Sequence, residues 1–272
     1  MFYFFFAMSF LFGAVIGSFT NCFVWRLHEN ETLLDRSYCP KCRKMIAWFD
    51  NIPVISFLLL RGKCRQCKKK ISWQYPLVEF STACLFSLSF YLLAKNFSQT
   101  DFSNYYFVYL LSDSKFILSL IKDWLLIFSL TTIFIYDLRW YLIPDKVALP
   151  AAALLFLLNI FLGFNWLTLI FCALIGGGFF LLQFLVSNGK WVGGGDIRLG
   201  ILLGMALGGY SELALAIMLT YFIGSIVSIA LVIFGKKHWS SKVPLGIFLA
   251  PALLIAIFWG SQIINWYLGL SA

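Results

Sequence analysis

Trp191-Val192-Gly193-Gly194-Gly195-Asp196-Ile197-Arg198 sets three glycines and a carboxylate at the point where an apolar run is about to begin. An aspartate in that place needs a physical reason, because ionised side chains in or beside hydrocarbon are costly and mark function by default. A second aspartate ends another apolar run, in Tyr136-Asp137-Leu138-Arg139. Whether the two meet depends on how the runs between and around them fold.

Working outward, the 272-residue chain is 61% hydrophobic and 12% charged, with a mean hydropathy of +0.86. A soluble domain has no interior large enough for that much apolar surface, so the chain reads as an integral membrane protein. Its 30 phenylalanines suit lipid-facing helices. A net charge of +9 in such a chain reports topology first, and no nucleic-acid partner is expected. The first apolar run opens at residue 2 with no Lys or Arg before it, so it is read as a membrane helix and not as a cleavable signal.

Apolar runs of about 20 residues cross a bilayer as helices, which satisfy their own backbone. Helices are predicted over about 2–25, 76–94, 116–136, 143–163, 165–186, 197–207, 212–234 and 245–268. Residues 105–111 stop at Ser112-Asp113-Ser114-Lys115 and read as interfacial. The expected fold is an all-α polytopic membrane protein with about eight transmembrane helices and a small cytoplasmic zinc-binding loop between helices 1 and 2. The expected domains are the first transmembrane helix (1–25), the loop domain (26–75) and a membrane domain carrying the aspartate pair (76–272). Gly13 and Gly17 in the first run form a small-xxx-small pattern that permits close helix packing. Within the loop, residues 52–60 are apolar but broken by Pro53, and are expected at the membrane surface.

Basic residues orient the chain. Eleven of the 21 Lys and Arg residues fall within 26–75, and seven more within 137–146, 187–198 and 235–242. With eight spans these segments share one side, the cytoplasmic one by the positive-inside rule, and only Lys95, Lys115 and Lys122 remain elsewhere. Asp137 and Asp196 therefore emerge at cytoplasmic helix ends. Asp145, after Pro144, is better explained by helix-start chemistry. Asp113, Asp123 and Glu212 belong near the opposite face and read as structural, Glu79 is uncommitted, and His28 and His238 are not expected to be ligands.

The loop holds Cys39-Pro40-Lys41-Cys42 and Cys64-Arg65-Gln66-Cys67. Two CxxC turns at this separation supply four thiolates for a tetrahedral zinc ion, and basic surroundings favour the thiolate form. Four protein ligands leave no open position, so a structural metal is expected. Cys22, Cys84 and Cys172 lie in apolar runs and are expected to pack inside helices.

Two carboxylates brought together share one proton, and the pair can then activate water and polarise a peptide carbonyl. The glycines before Asp196 are expected to tolerate positive φ and let a substrate backbone approach. They do not form a dinucleotide fingerprint. Gly200, Gly204 and Gly208 make one smooth helix face, expected to pack against the helix that carries Asp137.

At these residues the chain resembles the GxGD intramembrane aspartyl proteases and, more fully, the bacterial type IV prepilin peptidases (prepilin leader peptidase/N-methyltransferases). The blocks that carry the resemblance are Gly17 to Leu27, the two CxxC pairs, Asn51 to Ser56, Arg61 to Cys64, Tyr75 to Glu79, Asp137 with Ile143-Pro144-Asp145, Gly193 to Leu199, and Pro244 to Pro251. Arg198 stands where the family usually has Lys, and Leu245 and Ile247 depart from its late PFGPFLA block. The resemblance implies an aspartic endopeptidase of the bacterial cytoplasmic (inner) membrane, with its site facing the cytoplasm and Asp137 and Asp196 as catalytic residues. Its substrates would be prepilins and pseudopilins of type IV pilus and type II secretion systems, cut after a Gly behind a short basic leader. It also implies methylation of the new N-terminus from S-adenosylmethionine. No spacing in the sequence marks a pocket for that donor. Another GxGD protease, such as a preflagellin peptidase or a presenilin-like enzyme, would leave the zinc loop unexplained. A proton-coupled transporter would place its carboxylates at mid-membrane.

Overall fold

In hydrocarbon each segment must bond its own backbone, and the apolar runs do so as helices. The computed structural model describes residues 2–33, 35–97, 112–235 and 243–269. Among them are α1 (Phe2–Glu29), α2 (Ile55–Leu59), α3 (Gln74–Phe97), α4 (Ser114–Trp140), α5 (Asp145–Phe161), α6 (Trp166–Ser187), α7 (Gly194–Leu207), α8 (Tyr210–Ile233) and α9 (Gly246–Tyr267). The described residues form no strand beyond two isolated bridges.

Each of the eight expected spans is a helix, and the fold is all-α. Among the described residues six helices are long and apolar enough to cross a membrane, so the count of about eight transmembrane helices is not confirmed. The exceptions are α5, with 17 residues, and α7, with 14. At 1.5 Å per residue α7 covers about 21 Å, short of a core of about 30 Å. Gly208 stops it, with a left-handed φ of 68°. The expected interfacial stretch 105–111 lies outside the described residues, as do Lys236, Lys237, His238 and Lys242.

The chain divides into two units, Met1–Thr132 and Ile133–Ala272, with the boundary inside α4. In the first, α1 packs on α3 through the small residues of the Gly13/Gly17 pattern. A Cβ added at Gly13 would sit 2.8 Å from the Ala83 Cα, and one at Gly17 would sit 2.7 Å from the Glu79 Cα. Asn21 fastens the same pair, donating to the Tyr75 carbonyl at 3.2 Å and accepting from the Gln74 amide at 3.1 Å. Phe90, Ala94 and Phe116 form a buried aromatic cluster, joined by Phe2, Phe5 and Phe6. Arg26, counted above as a topological cation, is buried and donates to the carbonyls of Leu33, Asp35 and Arg36, which folds the start of the loop onto α1.

In the second unit the glycine face of α7 finds a neighbour other than the one expected. Gly200 lies against the Gly176 backbone and Gly204 against Cys172 and Ala173, all on α6, while Gly208 packs on Phe164 and Leu169. The partner is α6 and not α4 because α6 offers its own small residues, Ala173, Gly176 and Gly177, so the two backbones meet directly. Asn159 of α5 donates to the Met205 carbonyl at 2.6 Å and takes up the end of α7. Of the cysteines in apolar runs, Cys172 is fully buried against α7, Cys22 is half-buried, and Cys84 is exposed instead of packed.

Candidate active site

Asp196 occupies the first turn of α7 and is buried. Its Oδ2 accepts the Gly193 N–H at 2.9 Å, so the carboxylate caps its own helix at the positive end of the dipole. The preceding glycines do not take positive φ: Gly193 sits at −80°, and Gly194 and Gly195 are already helical. Their use is spatial. Gly194 faces open space, and a Cβ at Gly195 would press on Ile143 at 3.0 Å.

Asp137 lies in the last turn of α4 and is 4% exposed. It meets the first turn of α9. A Cβ added at Gly246 would sit 2.6 Å from Asp137 Oδ2, and the backbone N–H groups of Gly246 and Ile247 donate toward the carboxylate. These belong to the orphan donors that any helix start must place, and an anion is their natural partner. Oδ2 itself is buried without a hydrogen-bond partner. The charge of Asp196 acts on Asp137. Both carboxylates are thus held by backbone donors, and Asp137 keeps in addition a buried, unpartnered oxygen suited to carrying a proton.

Asp145 opens α5, as helix-start chemistry requires, and pairs with Arg198 of α7 at 2.5 Å. That contact fixes the α5 start beside the aspartate of α7. Sequence reasoning missed both the Arg198–Asp145 pair and the Gly246 contact. The second had a readable sign, since Pro244-Leu245-Gly246 opens an apolar run and so exposes helix N–H groups.

The loop brings its four cysteines together. Cys39, Cys42, Cys64 and Cys67 have sulfurs within 4.8 Å of one another, with Cys39 and Cys67 at 4.0 Å. Tetrahedral zinc with bonds of about 2.3 Å sets sulfurs roughly 3.8 Å apart, so a small contraction completes the site. The two halves have one backbone design. Cys39 N–H bonds to Lys44 O and Arg43 N–H to Cys39 O, and Cys64 N–H bonds to Lys69 O and Lys68 N–H to Cys64 O. Arg43 and Lys68 both take left-handed φ, at 58° and 57°. The backbone N–H groups of Cys67 and Gln66 pull the Cys64 thiol down to about 7, toward the ligating thiolate. Arg65 clamps Asp50 with two bonds, at 2.7 and 2.6 Å, and lowers that carboxyl below its ordinary range. Beside the knuckles, Ile55, Leu58 and Leu59 of α2 are exposed.

Glu79, uncommitted from sequence, is buried in α3. Its Oε2 accepts the Val54 N–H at 2.7 Å, and Ser18 is a second hydrogen-bond partner.

Comparison with known proteins agrees with this division. Residues 11–93 match the profile of the Bacterial Peptidase A24 N-terminal domain, and residues 124–233 match that of the Type IV leader peptidase family. A prepilin leader peptidase/N-methyltransferase of Aeromonas hydrophila is 31% identical over 97% of this chain and 94% of its own. Those of Pseudomonas aeruginosa and Bacillus subtilis are 30% and 29% identical, over 95% and 96% of this chain and 91% and 97% of theirs. No solved structure gives a significant match. With both profiles matched and relatives of that identity spanning both chains nearly end to end, the chain belongs to the type IV leader peptidase family.

Proposed function

We propose that this chain removes the basic leader of type IV prepilins and pseudopilins by an aspartyl dyad, Asp137 and Asp196, and then methylates the new N-terminus. The observation that carries the reading is the pair itself: two buried carboxylates, each at a helix terminus, with the charge of Asp196 acting on Asp137. Asp196, already bonded to the Gly193 N–H, is the ionised member and takes a proton from water. Asp137 carries the shared proton on its unpartnered Oδ2 and donates it to the scissile carbonyl oxygen. Gly194 leaves room for the substrate backbone. The dyad lies at polar helix ends, the depth at which a basic leader gives way to an apolar helix, on the cytoplasmic side of the bacterial inner membrane by the distribution of basic residues.

Zn2+, when bound by Cys39, Cys42, Cys64 and Cys67, cross-links the two knuckles of a loop too small for a large core. S-adenosylmethionine, when bound, supplies the methyl group. The buried polar set around Glu79 offers what an amine acceptor needs, a carboxylate beside apolar surface.

The test is cleavage of a prepilin in membranes by Asp137→Asn and Asp196→Asn chains separately. Each loses at least about 1,000-fold in rate while still inserting, as expected when either member of a catalytic pair is removed. Near-normal cleavage by either variant overturns the dyad.

A further inference from the structure

The aspartate pair and the Type IV leader peptidase match both centre on the second unit, which leaves the buried polar groups of the first unit without a peptidase role. We infer that Glu79 is the site that receives the free α-amino group of the trimmed substrate for methylation. This rests on the function proposed above.

Depth is the first argument. Glu79 lies five residues in from the start of α3 at Gln74, about 8 Å along the helix. Asp137 lies three residues from the end of α4 and Asp196 two from the start of α7, about 5 and 3 Å from their own polar ends. Cutting at that depth leaves a new ammonium on top of an apolar helix. A charge so placed needs a buried counter-charge. Asp123, the other buried carboxylate of the first unit among the described residues, lies nine residues in from the start of α4, measured from the opposite end of that helix to Asp137.

The local structure is the second argument. Val54 takes a φ of +61°, a costly conformation for a β-branched residue, and thereby turns its N–H onto Glu79. Ser18 is its other partner, and two donors leave lone pairs on a carboxylate that accepts about four hydrogen bonds. One turn further along α3, the Thr82 hydroxyl is fully buried without a hydrogen-bond partner. Gly17 lets α1 lie directly against the Glu79 backbone, since a Cβ there would meet the Glu79 Cα. A mere staple for the loop needs neither a full charge nor a spare hydroxyl beside it.

The chemistry balances. The bound ammonium gives its proton to Glu79. The freed nitrogen lone pair forms the N–C bond as the S–C bond of a sulfonium methyl donor breaks, and that sulfur leaves as a neutral thioether. Glu79 then returns its proton to solvent.

Two experiments on the full chain in detergent decide. In the first, prepilin cleavage and product methylation are followed by mass spectrometry for wild type and Glu79→Gln, which keeps an acceptor for Val54 N–H. Cleavage stays within about twofold while methylation falls at least about 100-fold, the usual worth of a proton-accepting group. In the second, without methyl donor, wild type is treated with a zero-length carbodiimide and a peptide of the mature pilin N-terminus. An amide bond forms between the peptide α-amine and Glu79, and binding is at least about tenfold weaker for the N-acetylated peptide. Cross-links only elsewhere, equal binding of both peptides, or normal methylation by Glu79→Gln each overturn the assignment, and the cross-link does so even if the variant fails to fold. A wild-type chain that neither cleaves nor methylates overturns the function proposed above instead.

Discussion

A single methyl group at position 246 tests the setting of Asp137. Gly246→Ala would put a Cβ 2.6 Å from Oδ2, so either the carboxylate or the start of α9 must move. A displacement of about 1 Å in a reacting group costs on the order of 100-fold in rate. Prepilin cleavage by Gly246→Ala is expected to fall by about that factor, with methylation of a pre-trimmed peptide unchanged. Equal cleavage by Gly246→Ala and wild type would show that the carboxylate is indifferent to its neighbour. Both aspartates were legible in the sequence because a charge at the edge of an apolar run stands out unaided. For Gly246 the sequence showed only the start of an apolar run and not that it faces Asp137, since its contribution is a missing atom opposite a residue more than a hundred positions away. The glycines before Asp196 teach the same lesson in reverse: their composition suggested unusual backbone angles, and the structure uses their lack of bulk.

At the scale of elements, α6 and α7 touch backbone to backbone. Gly200→Leu has no room against Gly176, whereas Gly178, two positions along α6, faces open space. Overpacking of this kind costs about 1–3 kcal/mol. Gly200→Leu is expected to lower the thermal inactivation temperature in detergent and to lose cleavage, and Gly178→Leu to do neither. The glycine spacing announced a close packing but not its partner, because periodicity identifies a face and leaves the opposing helix open. The cysteine loop was more legible, as ligand type and spacing nearly dictate the cluster. Purified protein should contain about one zinc per chain, and Cys39→Ser should reduce this and open residues 35–75 to proteolysis. Full protease resistance after complete metal removal would show that the loop needs no cross-link.

For the molecule as a whole, basic residues predict that the thiols of Cys39, Cys42, Cys64 and Cys67 face the cytoplasm. After metal removal, a membrane-impermeant maleimide should label them in inverted vesicles at least about tenfold faster than in right-side-out ones. Equal labelling would reverse or abolish the assigned topology. The helices themselves were read nearly to their ends, because hydrocarbon enforces long uninterrupted runs. The shortness of α5 and α7 was harder to weigh, since apolar composition alone does not say how much bilayer a helix must cross. The two units were not legible at all: their boundary falls inside α4, where no linker, charge run or change of composition marks it.

The contact between Asp137 and the first turn of α9 has a consequence for the timing of synthesis. Both aspartates leave the ribosome long before residue 246 does, yet Asp137 acquires its backbone donors only when α9 enters the membrane. With the proposed dyad, a nascent or prematurely terminated chain therefore carries both acids without a finished site, and cleavage becomes possible only after α9 has been made.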